Sequence, residues 1–115
     1  MKRLIAVFMC AAPLLVSAKT AMLHCEHWPM TMALMSLKNS GMIVGDDIQE
    51  ERTKIELMAS EKIGRDLYQQ VYHMTFYGVT GKVIDVITNN QASSVECSVS
   101  AVDVYVTGKN IGRRQ

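Results

Sequence analysis

The stretch Leu23 to Met30, "LHCEHWPM", gathers several side chains that are able to do chemistry. Cys25 and a glutamate lie between His24 and His27, and methionines follow a few residues later. Imidazole with soft sulfur suits copper, or zinc when the thiolate is free. A cysteine beside a histidine also suggests a nucleophile and its base, and a cysteine alone suggests half of a disulfide. The compartment and the other cysteines decide among these three.

The first eighteen residues follow the three-part pattern of a secretory signal peptide. Lys2 and Arg3 give a positive start, an apolar run follows, and small residues end it at Ala18. A membrane-spanning helix needs about 20 apolar residues, and this run is shorter, so we predict cleavage after Ala18 and no stable membrane anchor. Cys10 lies inside the run, which argues against a lipid anchor. We therefore expect a single domain over 19–115, periplasmic or secreted.

The cysteine count favours the disulfide. The predicted mature chain contains Cys25 and Cys97, and an exported protein with two cysteines usually joins them. Chain-entropy estimates give about 4 kcal/mol for closing so long a loop, which is large beside the roughly 5 kcal/mol that stabilises a small domain. We predict a Cys25–Cys97 disulfide. It would remove the thiolate that a zinc site or a catalytic cysteine requires.

Charge excludes two classes of partner. Without Lys2 and Arg3, ten basic residues face eleven acidic ones in the mature chain. Nucleic-acid binding rewards a strongly basic face, and binding to an anionic membrane rewards a polybasic patch. We expect neither. We also expect no cofactor, because "YGVTGK" lacks the glycines and the strand-to-helix context of a phosphate-binding loop.

A helix is predicted over 29–41, "PMTMALMSLKNSG", because Pro29 suits a first turn and Gly41 suits a C-terminal cap. Met32 and Met35 fall outside its apolar stripe, so either a second surface covers them or they are exposed for a partner. The stripe has helical spacing and faces a core: Met30, Ala33, Leu34 and Leu37.

The next segment, 45–64, is ambiguous. Its helix propensity is high, and Asp47 with Glu50 could form a capping box. Against this, Ile55, Leu57 and Ala59 alternate as in a strand. We favour a helix slightly and leave both interpretations open for 46–63.

The remainder of the chain is predicted as β structure. "LYQQVYHMTFY" (67–77) and "VIDVITNN" (83–90) form a hairpin around the turn "GVTGK". "NNQASS" is predicted as a loop, "AVDVYVTG" (101–108) as a further strand, and "KNIGRRQ" as a polar tail. The fold class is therefore α+β, with one or two N-terminal helices on an antiparallel sheet of three or four strands, stapled by one disulfide.

No catalytic set is evident in the sequence. The serines near Ser93 lack the G-x-S-x-G context of a hydrolase nucleophile. Glu26 and Glu96 adjoin the two cysteines, but carboxylates placed across a disulfide are not a known acid–base signature. We assign no catalytic residues and expect a protein that is not an enzyme.

What remains is a surface for another protein. A small, near-neutral, stapled and exported domain is a common build for an inhibitor or immunity protein that acts on an envelope enzyme or toxin. An alternative is a periplasmic copper- or zinc-binding protein that uses His24, His27 and nearby methionines, and a third is a structural envelope component or secreted effector. The predicted contact residues are amphipathic or exposed apolar side chains: Trp28, Met32, Met35, Tyr68 and Tyr105.

Overall fold

The computed structural model describes residues 23–110. The predicted signal peptide with its cleavage site and the last five residues of the polar tail lie outside this range. The described elements are, in chain order, α1 (His27–Asn39), a short 3-10 turn (Glu50–Arg52), β1 (Lys54–Gly64), β2 (Leu67–Tyr77), β3 (Val83–Ala92) and β4 (Asp103–Asn110).

The four strands form one antiparallel sheet in the order β1-β2-β3-β4, so each strand pairs with its neighbour in sequence. The predicted hairpin is confirmed, and Tyr77 pairs with Val83 next to its turn. The α+β class is also confirmed, with a single α-helix in the described range. That helix begins at residue 27 rather than at the N-terminus, although it precedes all four strands.

The core lies between α1 and one face of the sheet. The predicted apolar stripe is buried at Ala33, Leu34 and Leu37, with Met30 partly buried beside them. From Gln70 on β2 and along the whole of β3, every second residue is buried, because side chains alternate between the two faces of a strand. Met74 and Phe76 are fully buried in this layer. The apolar residues that recur with helical spacing on α1 and with strand spacing on β2 and β3 therefore pack together in one core.

The slight preference for a helix over 46–63 is wrong. Lys54–Gly64 forms edge strand β1, and only Glu50–Arg52 makes a short helical turn. Ile55 and Leu57 pack against the core with the alternation of a strand. Asp47 does not cap a helix but contacts Lys82. Pairing with β2 and burial of the alternating side chains outweigh the local helix propensity.

Two strand boundaries also differ from the prediction. β3 continues to Ala92, so the first part of "NNQASS" is strand rather than loop. Its extra residues are Gln91 and Ala92, of which Ala92 is buried. β4 begins at Asp103 and continues to Asn110, so the start of the predicted tail belongs to the sheet. In both cases polar residues extend the hydrogen-bonded ladder beyond the apolar pattern that marks a strand in the sequence.

The Cys25–Cys97 disulfide is present, with an S–S distance of 1.98 Å and a Cα–Cα distance of 5.2 Å. It joins the segment just before α1 to the loop between β3 and β4. Cys25 is buried. None of the helices within 23–110 is long and apolar enough to cross a membrane.

Candidate protein-binding face

The predicted contact residues on α1 lie along the side of the helix away from its apolar stripe. Trp28, Met32 and Met35 are separated by four and three residues, so they are neighbours on the helix surface. Met35 is 50% exposed, whereas Trp28 and Met32 are half-buried. The second packing surface that would have covered Met35 is therefore not found within the described chain.

The two predicted tyrosines lie on opposite faces of the sheet. Tyr68 pairs with buried Ala92 and is half-buried on the helix side. Tyr105 pairs with Ile87 on the other face and is 55% exposed. The structure therefore does not unite the five predicted contact residues on one surface.

The alternative metal site was predicted from His24, His27 and nearby methionines. The sulfur of Cys25 is bonded to Cys97 and is not a free thiolate. His24 and His27 are both exposed. Within residues 23–110, no group of three or more His, Cys, Asp or Glu side chains is arranged to hold a metal ion.

The face of the sheet opposite α1, here called the open face, is a surface that the strands leave without a second layer. No helix or strand of the described chain covers it, although Arg52 lies 4.8 Å from the ring centre of Tyr77 at one end. From Gln69 on β2 and along the whole of β3 its residues are half-buried, whereas the alternate residues on the helix side are buried from Gln70 to Phe76 and from Ile84 to Ala92. They are Gln69, Val71, His73, Thr75 and Tyr77 on β2, and Val83, Asp85, Ile87, Asn89 and Gln91 on β3.

One row of side chains crosses the open face and takes one residue from each strand. Glu56 pairs with His73, His73 with Ile87, and Ile87 with Tyr105. Directly paired residues in an antiparallel sheet present their side chains to the same face, about 5 Å apart. The row therefore places an acidic, an aromatic basic, an aliphatic and a phenolic side chain side by side.

His73 is held in a defined orientation by Asp85. Its Nε2 lies 2.9 Å from Asp85 Oδ1, and the Thr75 hydroxyl donates to the same oxygen at 2.8 Å. An ionised carboxylate only accepts hydrogen bonds, so a neutral His73 must carry its proton on Nε2. Its Nδ1 is then an acceptor, and it lies 3.8 Å from Glu56 Oε1.

An open concavity of about 450 Å³ lies beside His73 at the β1 edge. It is lined by Lys54, Ile55, Glu56, His73 and Thr75. The Thr75 hydroxyl donates to Asp85 rather than to the imidazole, so the arrangement does not make the nucleophile–base pair of covalent catalysis. The polar side chains that line the concavity are instead suited to hydrogen bonding with a partner.

Sequence reasoning missed this cluster because His73 stands alone in the chain. The missing information is the hairpin register, which pairs Thr75 with Asp85 and His73 with Ile87. A turn centred on residues 79–81 would have put those residues on one face. The predicted hairpin therefore contains the signal, which becomes specific only once the register of the two strands is known.

The other side of the sheet contains a polar contact between the disulfide region and β2. The backbone N–H of Cys25 donates to the Tyr72 hydroxyl at 3.2 Å, and that hydroxyl donates to Gln70 Oε1 at 3.1 Å. Burial raises the pKa of Tyr72 above its ordinary value, the Cys25 N–H partly offsets this, and the negative charge of Glu26 adds to it. This contact fixes the entry to α1 against the sheet.

Comparison of the chain with protein-family models, with curated proteins and with solved structures found no match.

Proposed function

We propose that this protein is exported, to the periplasm or beyond it, and acts by binding another protein as an inhibitor or immunity-type factor for an envelope enzyme or toxin. The observation that carries the proposal is the open face, with Tyr105 exposed at the end of a row that spans all four strands.

The composition of the open face fits a non-obligate protein interface. Val71, Ile87 and Tyr105 give it apolar and aromatic contact groups, and Gln69 and Asn89 place hydrogen-bonding groups among them. Non-obligate interfaces mix apolar and polar groups in this way, and tyrosine is enriched among the residues that dominate binding.

The open face is also rigid. The ladder between β2 and β3 runs without interruption from Tyr68 to Tyr77. On the face itself, Gln69 Nε2 donates to Asn89 Oδ1 at 2.6 Å and Gln91 Nε2 donates to Gln69 Oε1 at 3.3 Å. Side chains that are already ordered lose little entropy on binding, which favours tight inhibition by a small domain.

The disulfide supports export. Such bonds form and persist in oxidising compartments and are rare in the cytosol. Together with the predicted signal peptide, the Cys25–Cys97 bond favours a site of action outside the cytoplasm. An inhibitor or immunity protein in that location would meet envelope enzymes and imported toxins.

The test is recovery of a partner from envelope extract with the tagged protein and two variants. Tyr105→Glu introduces a charge on the open face, and Met35→Glu introduces the same charge on the exposed side of α1. We expect the wild type and Met35→Glu to recover a stoichiometric protein whose activity falls on binding. Tyr105→Glu should recover at most about a tenth as much. Recovery of no stoichiometric partner by the wild type would contradict the proposal.

A further inference from the structure

The charges on the sheet are segregated between its two faces. All four acidic residues of the strands lie on the open face. One is an open-face residue of β3, and the other three pair directly with open-face residues of β2 or β3. The four are Glu56, Glu61, Asp85 and Asp103. Of the three strand lysines, Lys54 pairs with Thr75 on the open face. Lys62 and Lys109 pair with Tyr68 and Ile84 on the helix side. The four carboxylates outnumber the two cations of the open face, Lys54 and, at one end, Arg52, so this face is acidic although the whole chain is close to neutral.

Three of the four acidic groups lie on the edge strands, and the fourth, Asp85, lies on β3 in contact with His73. Glu56 and Glu61 are on β1 and Asp103 is on β4, with the apolar side chains of Val71 and Ile87 on the strands between them. Adjacent strands are about 4.8 Å apart, so the two acidic edges are separated by about 15 Å. This layout suits a partner with an apolar or aromatic side chain at its centre and cations on either side.

The concavity beside His73 provides a specific position for one of those cations. His73 Nδ1 and Glu56 Oε1 lie 3.8 Å apart at its wall. When His73 is neutral both atoms are acceptors, because the hydrogen bond to Asp85 uses the other ring nitrogen, Nε2. An ammonium or guanidinium group there would donate to both atoms. The Glu56 side chain is 77% exposed, so an incoming side chain can reach it.

From these observations we propose that the open face binds a basic protein surface, one of whose Lys or Arg side chains enters the concavity and donates to Glu56 and to His73 Nδ1. The inference rests on the proposed function and names the chemistry of its partner. A second copy of this chain is disfavoured, because stacking two open faces would bring like charges together. Lys54 also lines the concavity and opposes the incoming cation.

The first experiment is site-specific photo-cross-linking in the producing cells, from Tyr105 on the open face and from Met35 on α1, followed by sequencing of the cross-linked peptide. We expect an adduct from position 105 to a segment in which Lys and Arg outnumber Asp and Glu. An adduct from position 35 alone, or a segment without that excess, overturns the inference but leaves a protein-binding function. The absence of an adduct from both positions overturns the inference and the proposed function together.

The second experiment measures the dissociation constant of the partner identified in this way, with three variants whose disulfide and unfolding midpoint match the wild type. Glu56→Gln should weaken binding about tenfold, because a charge-assisted hydrogen bond is lost. Lys54→Gln should strengthen binding, because it removes a competing cation. Lys62→Gln, on the helix side, should leave the constant unchanged. Equal affinities of wild type and Glu56→Gln would overturn the inference.

Discussion

The side chain of Lys82 joins the turn of the hairpin to the segment that follows α1. Its Nζ lies 2.7 Å from Asp47 Oδ2 and donates to the backbone oxygen of Met42 at 3.2 Å. The two charged side chains are only 18% and 11% exposed. A charge enclosed to this degree depends on its partner, because water cannot fully replace the lost contact.

Replacing Lys82 by Met should therefore lower the free energy of unfolding by about 2 kcal/mol, since Asp47 is left enclosed without its cation. The measurement is urea denaturation of the oxidised protein at neutral pH. Lys62→Met is the matched control, because Lys62 is exposed, and it should change stability by less than about 0.5 kcal/mol. Equal effects of the two substitutions would contradict the assigned ion pair.

The raised pKa of Tyr72 determines how the stability of the protein should change at alkaline pH. Burial raises its pKa above the ordinary value of 10.0, so between the unfolded and folded values the unfolded chain releases a proton that the native protein retains. The unfolded state then binds fewer protons than the native state, so the free energy of unfolding falls as pH rises through this window. Below pH 10.0 the contribution of Tyr72 to the free energy of unfolding is fully present.

Urea denaturation between pH 9 and 11 would detect that fall as a shift in the midpoint, a range chosen to span the ordinary tyrosine pKa of about 10. Tyr72→Phe should be less stable at neutral pH but should show a shallower alkaline decline than the wild type. Tyr105→Phe, at an exposed position, should keep the wild-type slope. A slope unchanged in Tyr72→Phe would show that Tyr72 is not the group responsible.

At the scale of single residues, the sequence predicts contacts that allow only one pairing, and it does not predict contacts that depend on how two strands are aligned. Two cysteines in a predicted exported chain have one way to pair within it, and Cys25–Cys97 forms. The His73–Asp85 contact spans twelve residues and depends on which residues of β2 and β3 face each other. Alternation alone does not give that register, because a slip by two residues keeps the same side chains on each face.

At the scale of the element, α1 has a buried side chain and an exposed side chain within a single turn. Leu37 is 1% exposed and Met35 is 50% exposed. Leu37→Ala should cost about 3 kcal/mol, because it leaves a cavity in the core, whereas Met35→Ala should change stability by less than about 0.5 kcal/mol. Denaturant unfolding of both variants is the measurement. A large loss in Met35→Ala would mean that this side of α1 is covered in the folded protein.

The segment that became β1 shows why local patterns are insufficient for an edge strand. Its ladder to β2 is irregular between Leu57 and Ala59 and between Lys62 and Gly64. The irregularities leave Met58 57% exposed and break the period-two alternation that marks a strand. β2 has no such interruption against β3, and its prediction from the sequence matches the structure from Leu67 to Tyr77.

At the scale of the whole molecule, the fold is a two-layer arrangement of α1 on one face of the sheet, and the described residues place no third layer on the open face. α1 and the ordered segments near it cover one side of the sheet, and the open face remains. The sequence predicted the α+β class, but the division into covered and open faces follows from the order and register of four strands. That division is also what separates Tyr68 from Tyr105.

The disulfide closes most of the described chain, because its cysteines are 72 residues apart. Replacing both cysteines by serine should lower the free energy of unfolding by about 4 kcal/mol, mainly by freeing the unfolded chain. Comparing the double variant with the oxidised wild type by urea denaturation tests this estimate. A loss below about 1 kcal/mol would mean that the sheet and α1 are stable without the bond.

The central claim is that the protein acts outside the cytoplasm as a disulfide-bonded domain bound to another protein. Native mass spectrometry of the tagged protein, isolated from the envelope fraction of the producing cells without reducing agent, tests it most directly. We expect a chain that starts at Lys19 and whose mass is lower than that of the reduced chain by the two hydrogens lost in the Cys25–Cys97 bond. We also expect this chain to be held in a complex of fixed stoichiometry with a second protein. A chain that retains residues 1–18, carries free cysteines, or is found alone or only with copies of itself would contradict it.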